Sequence, residues 1–473
     1  MNLLHIIPRF IGGGPERHLL VLAAAWQKTD IGIRQKIVVL DPPVSAPLLI
    51  KARRLGIEIL INPDLAAIRA AVAAADVVDI SFWNHPRLYD LLSRQLPASR
   101  WVIQSAVAGT SQPQVLTAAV GLFPDRLVLS TAGSLATAAV HEANRRGCPV
   151  ESIPALAEMS RLEGFRPRAH AGIRVGYLGL VEPTKMHPQF ADLCLAVADR
   201  NVSFEVYGGG SWRGVLQQRF DAAGASDRVR FHGQIEDIRS AFEEMDIFGY
   251  PLAPDTSATS EKTIQEAMWA GIPPVVLAGN GATSLVENER TGLVCQSEAD
   301  YPAAIRRLAD DDSLRRRLGD AAREHAHDHF DPDRNAARFG VIFLSASESL
   351  RRSPVPLPGR DESGARRFVE SLGPQGHAFS VSLAGLQDTT AVELAAADDL
   401  IRQSSPVLAN GEGGIVHYRH AYPDDPYLLF WCGLTSLHAG NTTSAERDFR
   451  SALALGLQAA RVQQHLALSG NVA

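Results

Sequence analysis

The sequence predicts an α/β chain with two doubly wound parallel-sheet domains in tandem and a small α-helical region after them. Three observations predict it. Short apolar runs alternate with helix-patterned segments in two successive series, the second opening at Ile173. The 473 residues exceed what one ordinary core takes up. A stretch rich in proline, glycine and mixed charge, RRSPVPLPGRDESGARR, then separates both series from purely helical patterns.

In order, the first series runs LLHII, HLLVLAAAWQ, KIVVL, APLLIKARRLG, IEILI, LAAIRAAVAAA, VVDIS, WVIQSA and RLVLST, strand and helix by turns. It defines a first domain over 1–168. The second series, IRVGYLGL, HPQFADLCLAVADR, VSFEVYGGG, WRGVLQQRFDAAG, RVRFHG, IRSAFEEMD, IFGYP, TIQEAMWAG and IPPVVLAG, defines a second domain over 169–350, whose last helices are free to cross back to the first. A linker is expected over 351–385 and a helical region over 386–473. There PYLLFWCGLTSLHAG and SAERDFRSALALGL read as one tetratricopeptide-like helix pair, with Gly433, Ala445, Phe449 and Ala452 at its small and large packing positions. One such unit cannot bury its face alone, so a packing partner is expected.

Composition narrows the function. Hydrophobic residues make up 46% and charged residues 21%, as in soluble globular chains and unlike disordered ones. The net charge of -6 comes with no long basic block, so a dedicated nucleic-acid surface is excluded. Cys148, Cys194, Cys295 and Cys432 are scattered without metal-like pairing and read as reduced core thiols. MNLLHIIPRF lacks the basic start and cleavage site of a signal peptide, and no apolar run approaches the roughly 20 residues of a membrane span. The cytoplasm is the expected location, with the inner face of the membrane as a peripheral alternative.

Four segments can carry chemistry, and all fall where strands end and helices begin, the side on which such sheets bind ligands. GGGPERH, Gly12 to His18, lets the backbone approach a ligand closely and offers the next helix's free N–H groups to an anion; a plain glycine turn is the competing reading. YLGLVEPTKMHP places Lys185 after a strand, where it either holds a phosphate or is simply solvated. In VYGGGSWRGVL the glycines Gly208 to Gly210 permit a tight strand-to-helix turn, and Arg213 faces solvent.

The fourth segment is PDTSATSEKTIQEAMWAGIPPVV. Ser257, Thr259 and Ser260 are N-cap candidates for a helix from Lys262 to Ala270 that stops at Gly271. Helical spacing puts Ile264, Ala267 and Met268 on the packing stripe and Glu266 off it, beside Thr263 and Ala270. Glu266 then either accepts both hydroxyls of a ribose, with the helix start receiving a diphosphate, or is a surface glutamate paired with Lys262.

Together with DRVRFHG and ENERTGLV, these motifs resemble, in order and spacing, the retaining GT-B glycosyltransferases (glycosyltransferase family 4, glycosyl transferases group 1), over roughly residues 1 to 350 and most closely from 174 to 330. The resemblance implies two Rossmann-like domains, the first on the acceptor side and the second on the donor side. It also implies transfer of a sugar from a nucleotide sugar to a glycan, lipid-linked or protein acceptor, with retention and with neither a metal nor a resident cofactor. Carried over by residue, Gly12, Gly13 and Gly14 lie near the diphosphate, Lys185 binds phosphate, Thr259 and Ser260 start the donor-binding helix, and Glu266 binds ribose. Glu261 is the acidic group for the donor sugar, and His85, in ISFWNHPRLYD, is the cleft histidine.

The chain departs from the family in three places. Ala258 stands where a glutamate is usual eight positions before Glu266, Leu180 replaces an arginine, and Ser284 replaces an acidic residue. A related subgroup keeps its acid near Glu261. These changes motivate a second reading, a GT-B-shaped binding or scaffold protein with impaired catalysis. A nucleotide-sugar epimerase is a third, disfavoured because no acid and base pair is evident in the loops. The helical tail is a further expected site for a protein partner.

Overall fold

Short strands with buried apolar residues alternate with helices that bury one face and return the chain to the start of the next strand. The computed structural model describes residues 1–360, 362–385 and 389–470. Residues 361, 386–388 and 471–473, which fall in the expected linker and helical region, lie outside the described residues.

The first unit contains β1 (Asn2–Ile7), α1 (Gly14–Thr29), β2 (Arg34–Val39), α2 (Ala46–Arg54), β3 (Glu58–Ile61), α3 (Leu65–Ala74), β4 (Val77–Phe82) and α4 (Pro86–Leu92). It continues with β5 (Trp101–Ser105), a short β6–β7 hairpin (Thr110–Ser111, Gln114–Val115), α5 (Ala118–Leu122), β8 (Arg126–Leu129), α6 (Ala138–Arg145) and β9 (Val150–Ser152). Its sheet has the order β3-β2-β1-β4-β5-β8-β9, and every pair is parallel. The order reverses between β1 and β4, which opens a crevice at their carboxyl ends.

The second unit repeats the plan with β10 (Ile173–Leu178), α7 (Phe190–Leu195), β11 (Val202–Tyr207), α8 (Arg213–Ala222), β12 (Val229–Gly233), α9 (Ile238–Glu243), β13 (Ile247–Tyr250), α10 (Lys262–Trp269), β14 (Pro274–Leu277) and β15 (Leu293–Cys295). The strand order is β12-β11-β10-β13-β14-β15, again parallel, with its reversal between β10 and β13. Helices α11 (Asp300–Asp310) and α12 (Asp312–His329) cover this sheet. Helix α13 (Pro332–Ser347) does not stay with it. Phe339, Ile342 and Phe343 of α13 are buried against Leu3, Leu22 and Trp26 of the first unit, and the Trp26 indole N–H donates to the Ala336 carbonyl at 2.8 Å.

The expected linker is only partly one. Residues 353–360 have no helix or strand, but Gly364–Leu372 (α14) and His377–Ala384 (α15) are helices. Their buried Ala365, Phe368, Leu372 and Phe379 join one core with α16 (Ala391–Arg402), α17 (Pro406–Asn410), α18 (Ile415–Ala421), α19 (Pro426–His438), α20 (Thr442–Ala454) and α21 (Ala459–Gly470). Interspersed arginines, glycines and proline hid that apolar stripe in the sequence. Helices α19 and α20 pack as an antiparallel pair in which Gly433 is pressed by Phe449: a Cβ on Gly433 would sit 2.4 Å from the Phe449 ring. The partner that buries this pair is the rest of the same helical region, centred on Trp431 and Phe368.

Candidate active site

The carboxyl ends of the two sheets face each other across a cleft of about 920 Å³. A second hollow of about 930 Å³, lined by Met1, Asp30, Arg34 and Glu58, opens at the opposite, strand-start edge of the first sheet. It carries none of the loops at the strand-order reversals, so the ligand site is the interdomain cleft.

On the first sheet's side, Gly12 to Gly14 line the cleft. Gly12 has φ +113°, which favours glycine, and a Cβ on Gly13 would lie 2.7 Å from the Glu16 carboxylate. Glu16 is buried with Oε2 unpartnered, and burial raises its carboxyl above the usual range. His18, two residues on, accepts the Leu156 N–H at Nδ1 (3.0 Å) and contacts Gln104 Oε1 through Nε2 (3.0 Å). Burial lowers the His18 imidazole to about 3, so it is neutral.

On the second side, α10 aims its start at the cleft. Its N-cap is Glu261, without a side-chain capping bond, so Ser257, Thr259 and Ser260 do not cap it. The Ser260 hydroxyl instead donates to the Ser130 carbonyl and accepts the Ala155 N–H at 3.1 Å, tying α10 to the first sheet's β8. Thr259 lines the cleft. The Lys262 ammonium donates across the cleft to the Gly14 carbonyl rather than pairing with Glu266, and burial lowers it to about 8.

Glu266 lines the cleft, off the apolar stripe, yet is only 4% exposed. Burial raises its carboxyl to about 7, against the opposing pull of Arg161, Lys262 and Arg17. Lys185 also lines the cleft, and its Nζ donates to Glu261 Oε2 at 2.7 Å, where the Tyr250 hydroxyl donates at 2.9 Å. The two residues expected to hold phosphate and sugar thus hold each other. Gly208 and Gly210 permit close loop packing, since Cβ atoms there would fall 1.7 Å from the Gly179 carbonyl oxygen and 2.1 Å from that of Val181. Arg213 is exposed, as expected.

His85 differs from its expected place. It is 1% exposed, lies behind Trp83 (ring centroids 4.7 Å apart) and is not among the cleft-lining residues. Its Nδ1 caps α4 by accepting the Arg87 N–H at 3.2 Å, while Nε2 faces Asp41 at 3.5 Å. Glu16, His18 and Arg161 also line the cleft and had no role assigned from the sequence, although the first two stand inside the GGGPERH motif.

With this geometry in hand, comparison with known proteins is decisive for the second unit. The family Glycosyl transferases group 1 matches residues 172–311. The match lies within the second domain, which resembles this family. Two curated relatives agree: D-inositol 3-phosphate glycosyltransferase of Streptomyces avermitilis is 26% identical over 255 residues, covering 48% of this chain and 53% of that protein. GDP-mannose-dependent alpha-mannosyltransferase of Mycolicibacterium smegmatis is 32% identical over 152 residues, covering 32% of this chain and 37% of that protein. The chain therefore spans about half the length of the first relative and less of the second.

Among solved structures, the Anabaena protein HepE in complex with UDP and glucose superposes with a TM-score of 0.59 at 16% identity, over 73% of this chain and 100% of that one. Sucrose-phosphate synthase from Thermosynechococcus elongatus gives 0.53 at 16% identity, over 73% of this chain and 99% of that one. These likenesses establish the fold: the two units form a GT-B pair of Rossmann-like domains. Among the described residues, no helix is long and apolar enough to cross a membrane.

Proposed function

We propose that this chain is a glycosyltransferase that moves a sugar from a nucleotide-sugar donor to an acceptor, with retention and without a bound metal. The observation that carries the reading is the convergence of Glu266, Lys185 and the start of α10 on the second domain's side of the interdomain cleft, in the stretch that matches the group 1 family. In this reading the Glu266 carboxylate accepts the ribose hydroxyls. Lys185, Lys262 and the free N–H groups of α10 offset the charge that develops on the leaving diphosphate. Gly12 to Gly14 let that diphosphate approach the first domain's backbone. When a donor arrives, Lys185 exchanges Glu261 for phosphate and Glu261 turns to the sugar. His85 acts at one remove by fixing Asp41 and Trp83.

The test is release of free nucleotide from a panel of UDP-, GDP- and ADP-sugars, with and without a chelator. Release from at least one donor, insensitive to chelation, is the expected result; failure of every donor to bind or react refutes the reading. One observation favours the second reading, a binding protein with impaired catalysis: Ala258 removes a carboxylate, and Glu261 is engaged by both Lys185 and Tyr250. Nucleotide-sugar binding without any release would establish it.

A further inference from the structure

The two solved structures named above are matched almost completely by 73% of this chain, so about a quarter of it has no counterpart in them. That added region returns to the cleft. Val407 and Gly411 of the α17–α18 segment, and Glu412 after them, line the same 920 Å³ space as Glu266 and Lys185. We propose that the helical region completes the acceptor site, with Glu412 as the residue that selects a neutral, polyhydroxylated acceptor such as a sugar or a polyol. The proposal rests on the glycosyltransferase reading above.

The turn that carries Glu412 is fixed in place. Asn84, 2% exposed after β4, donates through Nδ2 to Ser371 Oγ at 2.9 Å and to the Pro113 carbonyl at 2.8 Å, and accepts the Tyr418 hydroxyl at 2.7 Å. Gln114 Nε2 donates to the Glu412 carbonyl at 2.7 Å. Gly413, at φ +79°, is pressed so closely that a Cβ would sit 2.4 Å from the Asn84 carbonyl oxygen. A buried polar network satisfied on both sides holds a geometry that a loose appendage would not. Ser405 also bonds Asp255 of the second domain, so the region touches both walls of the cleft.

The chemistry of the subsite follows from its charges. Arg9 donates to Glu412 Oε1 at 2.9 Å and lies 3.8 Å from Asp41, which also pairs with Arg87 at 3.0 Å. Arg9 and Glu412, which line the cleft, neutralise each other, and Asp41 and Arg87 do the same behind them, so this part of the surface has no charge left over for an ionic ligand. It offers alternating donors and acceptors to hydroxyl groups, while Trp83, 7% exposed between Arg9 and the stacked His417 ring, holds Arg9 in place at the cleft. The Glu412 side chain is 58% exposed, and beside the Oε1 that Arg9 holds its Oε2 can accept hydroxyl hydrogens.

Full-length protein loaded with UDP or GDP provides the test. Methyl glucosides, methyl mannosides and myo-inositol, each beside a phosphorylated counterpart, are titrated with saturation-transfer NMR as the readout. At least one neutral probe binds, its Kd weakens about tenfold or more in Glu412→Ala, and nucleotide Kd moves less than about twofold. Gly413→Ala, which shifts the turn and keeps the carboxylate, weakens the same probe. The proposal is overturned if no neutral probe binds the nucleotide-loaded protein, if only phosphorylated probes bind, or if both variants bind as the parent does. Absence of nucleotide binding instead brings down the glycosyltransferase reading, and this inference with it.

Discussion

The two sheets are built on one plan but meet the cleft in opposite ways. Beneath the first, a buried polar chain links β1, β4, β5 and α1: His5 Nδ1 donates to Asp79 Oδ2 at 2.7 Å, Gln104 Nε2 donates to the same oxygen at 2.8 Å, and His18 completes the chain at Gln104. Its members are buried and bonded to one another, with Asp79 Oδ1 left over and His18 and Gln104 reaching the cleft wall. At the second sheet the polar groups are charged, partly exposed and paired in a way a ligand can exchange, as with Lys185, Glu261 and Tyr250. The polar groups beneath the first sheet fix a wall, whereas those at the second are paired for exchange with a ligand. One doubly wound plan, in a seven-stranded and a six-stranded sheet, therefore serves both a buried scaffold and an exchangeable surface.

This contrast breaks most clearly if the buried chain matters to the ligand. Asp79→Ala leaves His5 and Gln104 without their acceptor, so a loss of stability on the order of 3 kcal/mol is expected in thermal melts. Nucleotide Kd of the folded fraction should stay near the parent value; a large change would show that the first sheet, too, serves the donor. Next in size is Glu266→Ala. It removes the proposed ribose acceptor and should weaken calorimetric binding of the nucleoside diphosphate by about 2 kcal/mol, roughly thirtyfold, with the melting temperature little altered.

Lys185→Ala sharpens the contrast further. It deletes a phosphate contact and leaves Glu261 unpaired, so binding of the diphosphate should fall about tenfold while that of the bare nucleoside barely moves. An equal loss for both ligands would assign Lys185 to the fold. The smallest effect is on pH. Burial raises the Glu266 carboxyl to about 7, and protonation below that removes its capacity to accept two hydroxyls. Nucleotide Kd should therefore weaken about fourfold between about pH 8 and about pH 6.5. Glu266→Gln, which cannot ionise, should flatten that profile.

Local signals in the sequence carried much of this. Alternating apolar runs announced both sheets, because each buried strand is short and nearly all apolar. The stop of α10 was readable from Gly271, which takes φ +77°. Helical spacing placed Glu266 off the packing stripe but not how deeply it lies, because the groups around it, Arg161 and Arg17 among them, come from distant parts of the chain. The Lys185–Glu261 pair spans 76 residues and has no local signature. His85 illustrates the reverse case: its place after a strand suggested a cleft residue, yet its imidazole turns to cap α4. Neither Glu412 nor the helices α14 and α15 stood out, since ordinary surface-like composition surrounds them.

Helix α13 gives the chain's order an unexpected meaning. The first domain's core is closed by residues 332–347, which leave the ribosome only after the whole second sheet has been made. The opening 168 residues cannot be cut out as a self-sufficient fragment, because Leu22 and Trp26 would then face water. The domain that begins the chain is the one whose folding must wait, and a nascent chain paused before Pro332 would carry a finished second domain behind an unsealed first one.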